Sequence, residues 1–241
     1  MQNKMKLFFS SFLFCLVSCP ILAAEFRTSA FEEFFKAVGG KTALENLKTI
    51  ERIGEIEFID HGQVSPKGKG HYRTSLIYPD KVRVHIDVGS YIYDELKNEK
   101  IYLSYAGGGF RELTDNTQKK QLDETGLKAN RELLYWQNEH TNLQVTKETP
   151  IWTKNTDCLS GLKESKLEYV CFDKTTHLLA AAGSLEEHRE YQDWKKIDGV
   201  KFPMRLIHFK KDLVSYKIKL SSLTINKVIS AKNFELASGL K

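Results

Sequence analysis

In KVRVHIDVG, residues 81–89, Val82, Val84, Ile86 and Val88 alternate with Arg83, His85 and Asp87. A side-chain period of two belongs to a strand with one buried and one wet face. The same period recurs along most of the chain. RIGEIEFID, GKGHYRTSLIY, YIYDEL and KIYLSY surround this segment. LQVTKE, IWTKNTDCL, KLEYVCFD, HLLAAAG, HREYQDWKKI, VKFPMRLIHF and LVSYKIKLSSLTI follow later. In the last of these, Val214, Tyr216, Ile218 and Leu220 alternate with Ser215, Lys217, Lys219 and Ser221. About eleven or twelve strands joined by short turns predict an antiparallel sheet with one solvated face.

Two hairpins fix local register. YQDWKKIDGVKFPMRL, Tyr191 to Leu206, turns at Asp198-Gly199, a strong two-residue turn signal. Ile197 then faces Val200, Lys195 faces Phe202, Asp193 faces Met204 and Tyr191 faces Leu206. That mostly apolar face is predicted to point inward, with Trp194 and Pro203 on the other. Proline donates nothing to a ladder, so Pro203 is expected at an edge, a bulge or a position whose nitrogen points outward. CLSGLKESKLEYVC folds about a four-residue loop, Lys163 to Lys166, and sets Cys158 opposite Cys171. Directly opposed strand residues lie within disulfide reach. A bridge there closes a loop worth roughly 3 kcal/mol in the chain-entropy model. Two buried free thiols are the alternative.

Helical period appears in two places. SAFEEFFKAVGG reads as a helix with Ser29 as its cap and Glu32 as the capping-box partner. Phe31, Phe34, Phe35 and Val38 form its apolar stripe, and Gly39-Gly40 stop it. KTALENLKTI reads as a second, short helix with Leu44 and Leu47 on one side. Gly107 to Thr141 interrupts the strands and is too long for a structureless loop. Leu122, Gly126, Ala129, Leu133 and Trp136 there fall at helical spacing. Gly126 weakens such a helix by about 1 kcal/mol relative to alanine.

The first segment differs in kind. Lys4 and Lys6 precede LFFSSFLFCLVSCPILAA, an apolar run that ends in small residues. That is the pattern of a secretory signal peptide, residues 1–24. Cutting after Ala24 leaves a chain that begins at Glu25. Alternatively, LVSC resembles a lipobox, with Cys19 as a lipidated N-terminus; the apolar run past Cys19 favours the first cut. No linker or low-complexity stretch divides 25–241, which reads as one domain. The 41% apolar content is too low for a multi-span membrane protein. Without Lys4 and Lys6, 34 basic residues remain against 31 acidic ones, a net charge near +3. With no polybasic block, that speaks weakly for anionic membrane surfaces and against nucleic acid.

Catalytic patterns are missing. The chain has no G-x-S-x-G elbow, no H-E-x-x-H and no phosphate-binding loop. AGGGF, residues 106–110, lacks the Lys-Ser/Thr of a P-loop. SGLK, residues 160–163, matches S-x-x-K at chance level, and the seven histidines show no ligand spacing. No metal, cofactor or catalytic residue is therefore expected.

The element order and several phrases resemble the periplasmic lipoprotein-carrier superfamily, which includes outer-membrane lipoprotein-sorting proteins, their receptor and mycobacterial lipid-binding lipoproteins. The phrases are AVGGKTALENLKTIERIGEIEF, VCFDKTTHLL, YQDWKKIDGVKFPMRL, YKIKLSSLTIN and the closing FEL. YDELKNEKIYLSY lacks the Asp-Gly turn before a tryptophan seen in many members, so no binding residue transfers from that region. The resemblance implies an α+β fold: a strongly curved antiparallel sheet, an incomplete barrel, with helices covering its concave face. It also implies a non-catalytic periplasmic protein, a monomer whose partner is a lipid or an acylated protein. The candidate groove residues are Phe31, Phe34, Phe35, Val84, Ile86, Leu133 and Trp136, each of which plain core packing would equally explain. The alternative is an outer-membrane lipoprotein anchored through Cys19, acting as an interaction module of an envelope complex.

Overall fold

The computed structural model describes residues 19–60, 63–89, 91–97, 100–105, 109–114, 134, 136, 140–146 and 155–236. Among them, two meanders build one antiparallel sheet. The first contains β1 (Thr49–Asp60), β2 (Gln63–Ile77), β3 (Lys81–Val88), β4 (Tyr91–Lys97), β5 (Ile101–Tyr105) and β6 (Arg111–Glu112). The second contains β7 (Thr141–Val145), β8 (Thr156–Lys163), β9 (Lys166–Asp173), β10 (Leu179–Gly183), β11 (Glu187–Ile197), β12 (Val200–Lys210) and β13 (Leu213–Ile225). β1 pairs with β13 and joins the two, so β6 and β7 lie at opposite ends of an unclosed sheet. The described strands number thirteen rather than about eleven or twelve. One addition is β6, whose two residues are too short to show a period.

The sheet curls. Side chains from β4 and from β11 line one cavity, although these strands stand six places apart in the sheet order. At ~4.8 Å per strand, a flat sheet would hold them about 29 Å apart. A bulge contributes: the β1–β13 register slips between Ile53 and Gly54. A side chain at Gly54 would run into the Lys219 carbonyl and the Leu220 backbone. Glycine therefore lets the two strands approach at the bend.

The helix α1 spans Cys19–Val38. Ser29 lies inside it and caps nothing, because the residues before it continue the helix. The other end follows the sequence. Gly39 and Gly40 have φ of 113° and 109°, and the Gly40 N–H donates to the Phe35 carbonyl at 2.7 Å. A Cβ at Gly39 would strike the Gly199 carbonyl, so the helix end sits directly on the β11–β12 turn. The second helix, α2 (Lys41–Glu45), is brief, and both Leu44 and Leu47 are buried.

Phe31, Phe34, Phe35 and Val38 all face the core, as their spacing predicts. Phe31 packs edge-on to Phe172 of β9 at 5.6 Å and lies 5.9 Å from Trp136. The helix contacts β7 and β12. It covers one part of the sheet face, not the whole concavity; no described helix lies over the cavity formed by β1–β4 and β11–β13. Between Thr114 and His140 of the insert, only Leu134 and Trp136 are described, and both are helical. Leu122, Gly126, Ala129 and Leu133 lie outside the described residues, as does the segment before Cys19.

Both hairpins keep their expected register. Trp194 pairs with Pro203 across β11–β12, and Ile197 pairs with Val200 at the turn. Counting from that hydrogen-bonded pair, Trp194–Pro203 is a non-hydrogen-bonded pair, so the proline nitrogen points away from β11. On that side β12 pairs with β13 only from Arg205 onward. No ladder donor is lost at Pro203. Trp194 departs from expectation. Asp193 has φ 56°, which breaks the alternation, and Trp194 reaches Phe34 at 6.5 Å instead of facing away from the helix. In the other hairpin, Cys158 pairs with Cys171 and forms the disulfide, with Cα atoms 4.1 Å apart. Its turn has two residues, Glu164 and Ser165, rather than four, since Lys163 still pairs with Lys166.

A candidate binding cavity on the curved sheet

Four cross-strand rows build the cavity wall. Arg52, Thr74, Val84 and Glu95 form one row across β1 to β4. Leu220, Gly54, Tyr72, Ile86 and Tyr93 form the next. Ile56, Ile218, Leu206 and Tyr191 form the third, running the other way into β11. Phe58, Tyr216, His208 and Arg189 form the fourth. Alternation sends the side chains of each row to one face, where most of them enclose a cavity of about 370 Å³. That falls at the lower end of ligand-pocket sizes, about 300–1,000 Å³. The walls are chiefly aliphatic and aromatic, with Pro203 and Met204 added from the β11–β12 hairpin.

The few polar groups are not alike. Glu95 is 4% exposed. Burial pushes its carboxyl up to about 7, although Tyr93 Oη donates to its Oε2 at 3.1 Å and Lys97 is close by. Arg52 Nη2 and Thr74 Oγ1 are buried without a hydrogen-bond partner. Arg189, by contrast, is engaged with the Tyr216 hydroxyl. Tyr216 stacks on His208 at 4.5 Å, and His208 Nε2 meets Glu187 Oε1 at 2.8 Å. At that end the cation Arg189 is engaged, although His208 Nδ1 is buried without a hydrogen-bond partner; at the other end the unpartnered buried atoms are those of Arg52 and Thr74.

Of the residues singled out by sequence, Val84 and Ile86 line the cavity. Phe31, Phe34, Phe35 and Trp136 sit in the packed core beside it. Trp136 stacks on His140 at 3.9 Å, and the His140 ring meets the Trp136 carbonyl at 2.8 Å and Glu168 at 2.9 Å. Leu133 lies outside the described residues. No sequence motif marks Arg52, Thr74 and Glu95. Their signal is a polar residue in phase with apolar ones: Arg52 shares a face with Ile50 and Ile56, and Glu95 with Tyr93. Among the described residues, no group of three or more His, Cys, Asp or Glu side chains is placed to hold a metal ion.

No protein-family model and no curated protein matches this sequence. Solved structures do match its fold. A DUF1329 family protein from Desulfovibrio piger aligns over 89% of this chain and 98% of its own, at 12% identity and a TM-score of 0.60. A putative outer membrane lipoprotein-sorting protein domain from Vibrio parahaemolyticus aligns over 89% and 96%, at 10% identity and a TM-score of 0.55. A LolA superfamily protein from Nitrosomonas europaea aligns over 86% and 96%, at 12% identity and a TM-score of 0.56. At such identities the likeness is one of architecture, and it spans nearly the full length of each partner. The unclosed antiparallel sheet is therefore the fold shared with these three structures, two of which carry the name of the superfamily or of the sorting proteins that the sequence resembles.

Proposed function

We propose that this protein is exported to the periplasm and holds a lipid, or the acyl chain of an acylated protein, in the cavity of its curved sheet. It acts as a carrier or chaperone and not as a catalyst. The observation that carries this reading is the cavity of about 370 Å³ walled by Ile56, Tyr72, Val84, Ile86, Leu206 and Ile218. An acyl chain moved from water into such walls gains about 0.8 kcal/mol per CH₂. Two of the structures of like fold are named for lipoprotein sorting or for its superfamily, which supports the same reading. In this reading the apolar face of α1, with Phe31, Phe34 and Phe35, braces the sheet beside the cavity, and residues 1–24 direct export.

Native mass spectrometry of protein purified from the periplasm tests it. The expected result is a co-purified lipid mass on a polypeptide that begins at or next to Glu25. Absence of lipid, together with no binding of a fluorescent fatty-acid probe, would overturn the carrier reading. A diacylglyceryl-modified Cys19 would replace the soluble carrier with an anchored lipoprotein.

A further inference from the structure

We infer that the cavity selects a chain with an anionic carboxylate head, which Arg52 and Thr74 hold while the chain runs along β1 toward Phe58. This rests on the proposed lipid-binding function and specifies its ligand.

Three observations carry the inference. First, Arg52 and Thr74 are direct cross-strand partners, and both line the cavity. Their Nη2 and Oγ1 atoms are buried with no partner among the described residues. A buried donor left unmade is costly, and a guanidinium more so than a neutral group. Two adjacent donors suit the two oxygens of one carboxylate. Second, the other cation in the wall is committed. Arg189 is engaged with Tyr216, and Glu187 stands beside it across His208. Third, the wall between the two ends is apolar. From Arg52 to Phe58, β1 climbs about 20 Å at ~3.4 Å per residue, past Ile56, with Ile86, Leu206 and Ile218 in the facing rows. A head at Arg52 therefore has an apolar track for one chain. Glu95, two strands from Thr74 in the same row, does not oppose the head strongly, because burial keeps much of it protonated near neutral pH.

The test compares radiolabelled palmitate, hexadecanol and hexadecyl phosphate on the full mature protein stripped of co-purified lipid. Wild type is expected to bind palmitate about tenfold or more tightly than hexadecanol. Arg52→Gln should abolish that preference and leave hexadecanol binding unchanged. Arg52→Lys should keep part of the preference, and Thr74→Val should weaken palmitate about fivefold. If Arg52→Gln does not fold, the Lys and Val variants decide alone. Equal binding of palmitate and hexadecanol by wild type, or an unaltered preference in the variants, overturns the carboxylate assignment while the lipid-binding function stands. Tighter binding of hexadecyl phosphate than of palmitate overturns it in favour of a phosphate head. If wild type binds none of the three, the lipid-binding function itself fails.

Discussion

Glu95 shows how a single residue can make the cavity sensitive to pH. Its strand partners are Val84 on β3 and Leu103 on β5, so neither neighbour supplies a charge. Tyr93 and Lys97 on its own strand favour the carboxylate, but burial outweighs both and leaves the carboxyl near 7. The sign follows. In the folded protein the group binds its proton more tightly than in the unfolded chain, where it titrates near 4.5. Its contribution to stability is fully present below 4.5 and is lost as pH rises through 7. His188 works in the opposite direction. Burial pushes it down to about 4 from 6.5, so its neutral form is required and its contribution is lost as pH falls from 6.5 toward 4. The two effects oppose one another in weakly acidic solution, so a difference between variants is the cleaner reading. Glu95→Gln is expected to raise the urea midpoint relative to wild type at pH 8 and to change it little at pH 4. Equal midpoint differences at both pH values would show that Glu95 titrates as an ordinary carboxylate.

At the scale of elements, α1 and β3 present apolar faces that look alike in sequence and differ in what they cover. Phe31 is 1% exposed and wedged against Phe172 and Trp136. Ile86 is half-buried on the cavity wall. A charge at Phe31 is buried without a partner and should cost several kcal/mol. A charge at Ile86 keeps contact with the cavity space and should cost about 1 kcal/mol or less. Ile86→Asp is thus expected to leave the urea midpoint nearly unchanged while abolishing fatty-acid probe binding, whereas Phe31→Asp should collapse the midpoint. Large losses from both would mean that the cavity wall is dry core. The contrast also marks what sequence could reveal. Period alone placed Phe31, Phe34, Phe35 and Val38 on one helix face and Val82 to Val88 on one strand face. Turn chemistry placed Asp198-Gly199, and with it the whole β11–β12 register. Period could not show that α1 leaves part of the sheet bare, because covering is a property of two elements together. Nor could it anticipate Trp194, whose direction depends on the left-handed backbone of Asp193. Arg52 and Thr74 became a pair only once β1 met β2 in register.

For the molecule as a whole, the two faces of the sheet do separate work. Leu159 and Val170 point from β8 and β9 into the main core, together with the phenylalanines of α1. Alternation then sends Cys158 and Cys171 to the opposite face, where they pack with Ala181 and Tyr169. The disulfide thus staples two strands from the outside, and neither β8 nor β9 contributes to the cavity lining. Its closed loop predicts roughly 3 kcal/mol, within the usual range of about 2–4 kcal/mol. In the sheet order β11, β12 and β13 stand between β10 and β1, and the staple lies on the face away from the main core, so it does not touch the cavity wall. The Cys158→Ala/Cys171→Ala double variant is therefore expected to lose stability by roughly 2–4 kcal/mol in urea unfolding. While it remains folded, it should bind the fatty-acid probe with wild-type affinity. Weakened binding in a still-folded variant would show that the sheet holds its curvature only when both faces are tied.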